Sequence, residues 1–243
     1  MMNSIFAPYK NKISRLVSKI DWLTLPNIFF GGALIPYSKE VKNLGIVMDS
    51  SLSWAPQIRE VGKKLFAAIG SLRRLRNFLP MSTRITLATC LLLPILDYAD
   101  ICYLDLNVEQ LNKLERLQNV CIRFIFGLRK YDHVSEFRTK LKWLPIRLRR
   151  NVHILSALYS VLFNPSAPLY LRNNFKFRYM SHNQFLRSSN NLTLLTPSHY
   201  SSFYHKSFTL TAIRLWNSLP QAIRKAKNLD SFKKLLKEHY LLS

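Results

Sequence analysis

Along most of this chain the apolar residues return every three or four positions, the spacing that lines one face of a helix. The clearest stretch, about 54–79, carries Ile58, Val61, Leu65, Ala68, Ile69, Leu72 and Leu75 as one stripe, with Arg59, Lys63 and Arg74 opposite and Arg73 on the flank. Residues 82–93 predict a second helix, capped by Ser82 and kinked or ended by Pro94. A third starts after Asn107, turns Leu111, Leu114, Leu117, Val120, Cys121, Phe124 and Ile125 inward, and stops at Gly127. Pro145 opens a fourth over 146–163. Its opening turns hold Arg147, Arg149 and Arg150, which oppose the helix dipole, a cost that a phosphate seated on the helix start would offset. From 164 to 204 the periodicity dissolves into Asn, Ser, Pro and single aromatics, which predicts an irregular segment. Helices over 206–216 and, after an Asp230 cap, 231–241 close the chain.

The first 50 residues follow another pattern. Short apolar runs at 27–30 and 33–37 flank Gly31-Gly32, a hairpin turn in which glycine supplies the positive φ. Residues 41–48 read as one further strand running into the turn Asp49-Ser50-Ser51. These strands look like the edge of a sheet whose other members lie outside the chain, an edge prone to pairing. The predicted fold class is mainly α, with a small N-terminal β-hairpin and strand region.

Charge changes the picture. Thirty-six Lys and Arg against 13 Asp and Glu give a net +23, and residues from Cys121 onward hold 21 of the basic and 4 of the acidic groups. An excess of this size points to a polyanionic partner. Because the charge runs along the whole chain instead of one amphipathic segment, nucleic acid is the expected polyanion and a membrane surface is not. The first twelve residues lack an apolar core of signal-peptide length, and the apolar run 85–96 is short for a span and ends near Asp97 and Asp100. Three cysteines, Cys90, Cys102 and Cys121, without a CxxC pair read as reduced thiols in an intracellular protein, nuclear or cytoplasmic.

Catalytic chemistry is hard to find. Tyr98-Ala99-Asp100, with Asp97 just before it, resembles the aromatic-x-Asp-Asp turn of reverse transcriptases, but Ile101 follows and no Asp-Asp pair occurs in the chain. Two-metal phosphoryl transfer needs carboxylates clustered around two cations, so these aspartates read as helix-edge or capping groups. The six histidines are scattered, with no HExxH and no zinc spacing. Cys121, on an apolar stripe with His133 further along, reads as core and not as a nucleophile. No metal, cofactor or small-molecule substrate is expected. The basic helix stands out instead: Glu60 can reach Lys64, whereas Arg59, Lys63, Arg73 and Arg74 lack acidic partners one turn away. Further positive clusters occur at Arg123/Arg129/Lys130, Lys140/Lys142, Arg147/Arg149/Arg150 and Arg224/Lys225/Lys227. Backbone contacts of this kind bind phosphate without reading sequence, and Tyr131, Trp143 and Tyr179 are candidates to stack on bases.

The order of segments resembles the C-terminal part of reverse transcriptases of jockey-like non-LTR (LINE) retrotransposons. Val41-Lys42-Asn43-Leu44-Gly45-Ile46, Asp49 and Leu52-Ser53-Trp54 resemble the end of the palm. Ser71-Leu72-Arg73-Arg74-Leu75, Phe78-Leu79-Pro80 and Pro94-Ile95-Leu96-Asp97-Tyr98 resemble the thumb. Leu114-Glu115-Arg116-Leu117-Gln118-Asn119, Arg123, Arg129 through His133-Val134 and Trp143-Leu144-Pro145 are similar to the downstream connector. Ala212-Ile213-Arg214-Leu215-Trp216-Asn217-Ser218-Leu219-Pro220, Ile223-Arg224 and Ser231-Phe232-Lys233 resemble the usual ending of these polyproteins. The resemblance implies a division into palm-edge strands (1–50), helical thumb (51–105), helical connector (106–163), irregular segment (164–205) and C-terminal helices (206–243). It further implies a truncated piece of an RNA-directed DNA polymerase that lacks the catalytic palm and has no activity of its own. Such a piece would grip RNA or an RNA–DNA template–primer duplex. The thumb role falls on Arg59, Lys63, Lys64, Arg73, Arg74 and Arg76, with Arg147, Arg149 and Arg150 as further candidate contacts. The competing expectation is a domesticated helical module that binds a protein partner.

Overall fold

The computed structural model describes residues 25–181, 191–198 and 202–242; the leader region read at 1–12 and parts of the segment 164–205 lie outside the described residues. The architecture is mainly α with two small antiparallel hairpins at its N-terminal side. Strands β1 (Ile28–Phe30) and β2 (Ala33–Ile35) pair around Gly31 and Gly32, which take φ of 56° and 79°. All six strand residues are exposed, so this hairpin contributes little to a core.

Residues 41–48, expected as one strand, form a second hairpin of β3 (Glu40–Asn43) and β4 (Ile46–Asp49). The reason is the pair Leu44-Gly45, with φ of 46° and 82°: two left-handed residues in succession make the tight turn whose twist matches the strands it joins. Tyr98 fixes that turn. Its hydroxyl donates to the Leu44 carbonyl at 2.7 Å, and its ring approaches so closely that a Cβ on Gly45 would sit 3.2 Å from it. Ile46 and Met48 pack against the first core, and the Val47 amide donates to Gln57 Oε1 at 2.9 Å, tying β4 to the next helix.

Helix α1 (Ala55–Leu75) begins after Trp54, which sits in the left-handed region at φ 64°. That conformation is costly for a bulky residue; burial of the indole and its N–H bond to Asp105 at 2.6 Å offset the cost. A 3-10 turn (Arg76–Phe78) leads to α2 (Met81–Leu87), which starts directly after Pro80; Ser82 lies inside its first turn and makes no cap. Pro94 does not end the run, which continues to Asp97, but the ladder is distorted just before it. A π turn (Ala88–Leu92) precedes α3 (Leu93–Asp97) and widens the ladder where the proline can supply no N–H. Met81–Cys102 is long and apolar enough to cross a membrane by length and composition, longer than the 85–96 run considered from sequence, but Ala88, Leu92, Leu93 and Leu96 are buried against the chain's own helices.

Helix α4 (Val108–Phe126) carries the expected signals at both ends. Asn107 and Gln110 form a reciprocal capping box, and Gly127 at φ 72° ends it. Then follow α5 (Ser135–Lys140), not expected from the sequence, and α6 (Ile146–Phe163), whose bounds match the expected ones. Among the described residues the segment beyond is sparse in regular structure: α7 (Leu169–Arg172), a bridge between Phe177 and Leu194, and a 3-10 turn (Arg178–Ser181). The last helices are α8 (Ser202–His205), α9 (Phe208–Ser218), α10 (Gln221–Arg224) and α11 (Leu229–Leu242). Ser207 caps α9, and the cap of α11 is Asn228, whose Oδ1 accepts from the Ser231 amide at 2.8 Å, not Asp230.

Two apolar cores result. The first packs α1, α2–α3 and α4 around Leu65, Leu92, Leu114 and Ile125; the second packs α6, α9 and α11 around Leu158, Trp216, Phe232 and Leu236. Helix α6 serves both, placing Ile146 in the first and Ile154, Leu155, Leu158 and Tyr159 in the second. Gly127→Ala tests the helix-stop geometry: the added methyl would meet only ordinary contacts, the nearest 3.6 Å away at Arg76 Cζ, so the cost is that of forcing φ positive. Chemical denaturation should show a loss of about 1–2 kcal/mol; an unchanged midpoint would mean the stop does not depend on glycine.

Candidate nucleic-acid interface

Helix α1 turns one face to solvent. At about 100° per residue, Phe66, Arg59, Gly70, Lys63 and Arg74 fall within an arc of about 80°, with Arg73 beside it. All six are exposed, Phe66 by 56 %. Lys63, Arg73 and Arg74 have no acidic partner among the described residues, whereas Arg59 pairs with Glu40 of β3 at 3.2 Å, a partner distant in sequence that helical spacing alone could not reveal. The pair is more than half exposed and weak, so it leaves Arg59 available to a stronger anion. Gly70 has nothing within 4 Å of where a Cβ would stand, which leaves a smooth stretch of backbone between the basic side chains.

Lys64 points elsewhere. It lies about 100° round the helix from Lys63 and lines a groove with Lys42, Glu60 and Tyr98. Arg76, half-buried, lays its guanidinium over Gly127 at the C-terminal end of α4, where a cation is favoured by the helix dipole. The stripe ends in apolar residues: Leu75, expected inside, is 55 % exposed, and Phe78 is 84 % exposed. The last turn of α1 has outrun the core it packs against, so basic and apolar side chains meet at the corner with α2. Phe66 was not singled out from the sequence; its signal is an aromatic set off the apolar stripe.

The three arginines of α6 split. Arg147 is exposed. Arg149 makes a two-point ion pair with Asp97 through Nε and Nη2. Arg150 is 6 % exposed; its Nη2 donates to the carbonyls of Asp100 at 2.9 Å and Tyr103 at 2.7 Å, and its guanidinium lies 5.0 Å over the Tyr103 ring. Nor is the start of α6 free for phosphate. The Ile146 amide donates to Glu115 Oε2 at 2.8 Å, and the other carboxylate oxygen holds Arg138 at 2.6 Å. A protein carboxylate has taken the place expected for the anion, satisfying the helix dipole from within.

The aspartates resembling a catalytic turn are likewise engaged. Asp97 ends α3 on Arg149, and Asp100, 3 % exposed, meets His153 Nδ1 at 2.7 Å. Ligand atoms of Asp97, Asp100 and His153 lie within 4.8 Å of one another, close enough to hold a cation. A metal there would have to displace a guanidinium, and Arg150 adds charge of the same sign beside it. Among the stacking candidates, Tyr131 is 85 % exposed with Lys130 Nζ over its ring, Trp143 is buried, and Tyr179 stacks on Phe177. Arg123 binds the carbonyls of Arg129 and Asp132, Lys140 pairs with Glu136, and Arg224 is buried. Burial pushes the Cys121 thiol up to about 12, which keeps it protonated and inert, and pushes the Tyr103 phenol up to about 12 against the pull of Arg150.

The chain matches no family model and no solved structure. Among curated proteins it is similar to the RNA-directed DNA polymerase from mobile element jockey of Drosophila funebris, with 28% identity over 120 residues, which are 48% of this chain and 13% of that protein. The relationship is a distant, reverse-transcriptase-like one, and the matched stretch spans far less than two thirds of the relative's length.

Two measurements check these placements. Arg150→Ala should destabilise the fold by about 3 kcal/mol, since it strips charged hydrogen bonds from two carbonyls, while Arg147→Ala should stay within about 0.5 kcal/mol; equal costs would contradict the inward placement of Arg150. Brief iodoacetamide treatment of the native chain, read by peptide mass spectrometry, should label exposed Cys90 and spare Cys121.

Proposed function

We propose that this chain is the thumb and connector portion of a non-LTR retrotransposon reverse transcriptase, and that it grips RNA or an RNA–DNA template–primer duplex through the exposed face of α1. The observation that carries the reading is the stripe of Arg59, Lys63, Arg73 and Arg74 around Phe66 and Gly70, three of whose four cations lack an acidic partner among the described residues. Cations spaced along a helix neutralise successive phosphates, and the counterions released on binding supply affinity that ignores base sequence. The ring of Phe66 and the bare backbone at Gly70 allow close approach to sugar and base edges without demanding a particular base.

The distant likeness to a jockey RNA-directed DNA polymerase supports the same reading. The proposed role is binding and positioning, without nucleotide addition by this chain: Asp97 and Asp100, the carboxylates that look most like a polymerase turn, are taken by Arg149 and His153. Arg149 and Arg150 act inside the fold in this reading, and Arg147 is the member of that trio able to add a phosphate contact. The exposed apolar hairpin Ile28–Ile35 favours a protein contact as well, which the alternative of an interaction module would make the main function.

The test is the salt dependence of binding to an RNA–DNA hybrid, followed by fluorescence anisotropy. Affinity should fall steeply as salt rises, and Lys63→Ala/Arg73→Ala/Arg74→Ala should lower the slope of log K against log salt by about one to three. Binding that ignores salt, or a triple variant with an unaltered slope, would overturn the reading. With magnesium and deoxynucleotides, the same chain should extend no primer.

A further inference from the structure

A cleft of about 640 Å³ lies between the two cores, with α3, the residues before α6, one face of α6 and the face of α11 around it. Its charged lining comes in two groups. Asp97, Arg149, Asp100 and His153 sit as internal pairs, so the two carboxylates are already matched. Lys142, Lys233 and Lys237 line the same cleft and have no acidic partner among the described residues. Lys233 and Lys237 stand one turn apart on α11, which puts both on the side facing the cleft. Lys142, which also lines the cleft, is held at φ 51°, a left-handed conformation that a lysine adopts at a cost. Leu93 and Val152 provide apolar wall.

We propose that this cleft is a second anion site, separate from the α1 face, that takes the phosphate of a nucleotide. Three lysines without an acidic partner among the described residues line one hollow, and a phosphate seated there would accept hydrogen bonds from them and offset their charge. The volume suits one nucleotide with its base against the apolar wall. Asp97 is engaged by Arg149 and Asp100 by His153, so both carboxylates of the lining already have partners and the three lysines are left to meet the phosphate. The phosphate has two possible sources, a free nucleotide or a nucleotide of a single-stranded nucleic acid reaching past α1. The proposal does not rest on the reading of α1.

Calorimetric titration of the full chain at low ionic strength, with ADP in one arm and a short single-stranded oligoribonucleotide in the other, tests it. At least one probe should bind saturably, and Lys233→Glu/Lys237→Glu should weaken it about tenfold or more. The charge-matched pair Lys176→Glu/Lys206→Glu, outside the cleft, should change it by less than about twofold. Lys142→Gly removes the lysine charge at a position where glycine is at ease, so the fold survives and binding should still weaken. Uptake of ADP assigns a free nucleotide as the source; uptake of the oligoribonucleotide alone assigns nucleic acid. Absence of uptake in both arms, or an equal loss in the control pair, overturns the proposal, whereas the hybrid-duplex measurement on α1 reads out independently.

Discussion

The Arg150 guanidinium is a full charge almost entirely out of water, between one core and the other. Withdrawing such an ion from solvent costs on the order of several kcal/mol, so the fold has to supply replacements for the lost hydration. Here these are the carbonyls of Asp100 and Tyr103 and the face of the Tyr103 ring, with the Asp100 carboxylate held beside them by His153. The 3-10 turn (Asp100–Cys102) that would otherwise be a loose exit from α3 is thereby pinned to α6. Asp97 on Arg149 adds a second tie one turn away along the same junction. This cluster lines the cleft between the two cores and ties α6 to the turn that leaves α3.

That cluster also marks the boundary of what the sequence could tell. Local rules found both ends of α4 and the start of α6, because Asn107, Gly127 and Pro145 act within one turn of the positions they define. They mistook 41–48 for a single strand, because Leu44 carries no hint of a left-handed backbone; Tyr98, 54 residues away, secures the turn. The arginines at 149 and 150 looked like free cations for the same reason: their partners lie about fifty residues upstream, and spacing along a helix says nothing of what another helix brings to meet it. Glu115 on the start of α6 is the most instructive instance, since the need for an anion there was legible and its source was not.

On α1 the sequence came closer. Amphipathic spacing separated core from surface correctly over most of the helix, and the basic side followed from it. What spacing could not supply was the split between Lys63 and Lys64, neighbours that face different surroundings, or the exposure of Leu75 and Phe78 where the helix passes beyond its support. A positive surface of this kind is shaped as much by which charges are spent inside as by which are left outside. Arg149, Arg150 and Arg224 are turned inward, whereas Lys63, Arg73 and Arg74 stay on the outer face of α1.

Sharing one helix between two cores has a consequence for how the molecule comes apart. Unravelling α6 as a whole for one core would withdraw support from the other, because the same helix carries Ile146 into the first and Leu158 into the second. That sharing couples the stability of the two halves, and the cheapest openings are those of segments that contribute to neither core. The β1–β2 hairpin, exposed along its whole length, is the first such segment, free to detach or to find another strand while everything built on α6 stays closed.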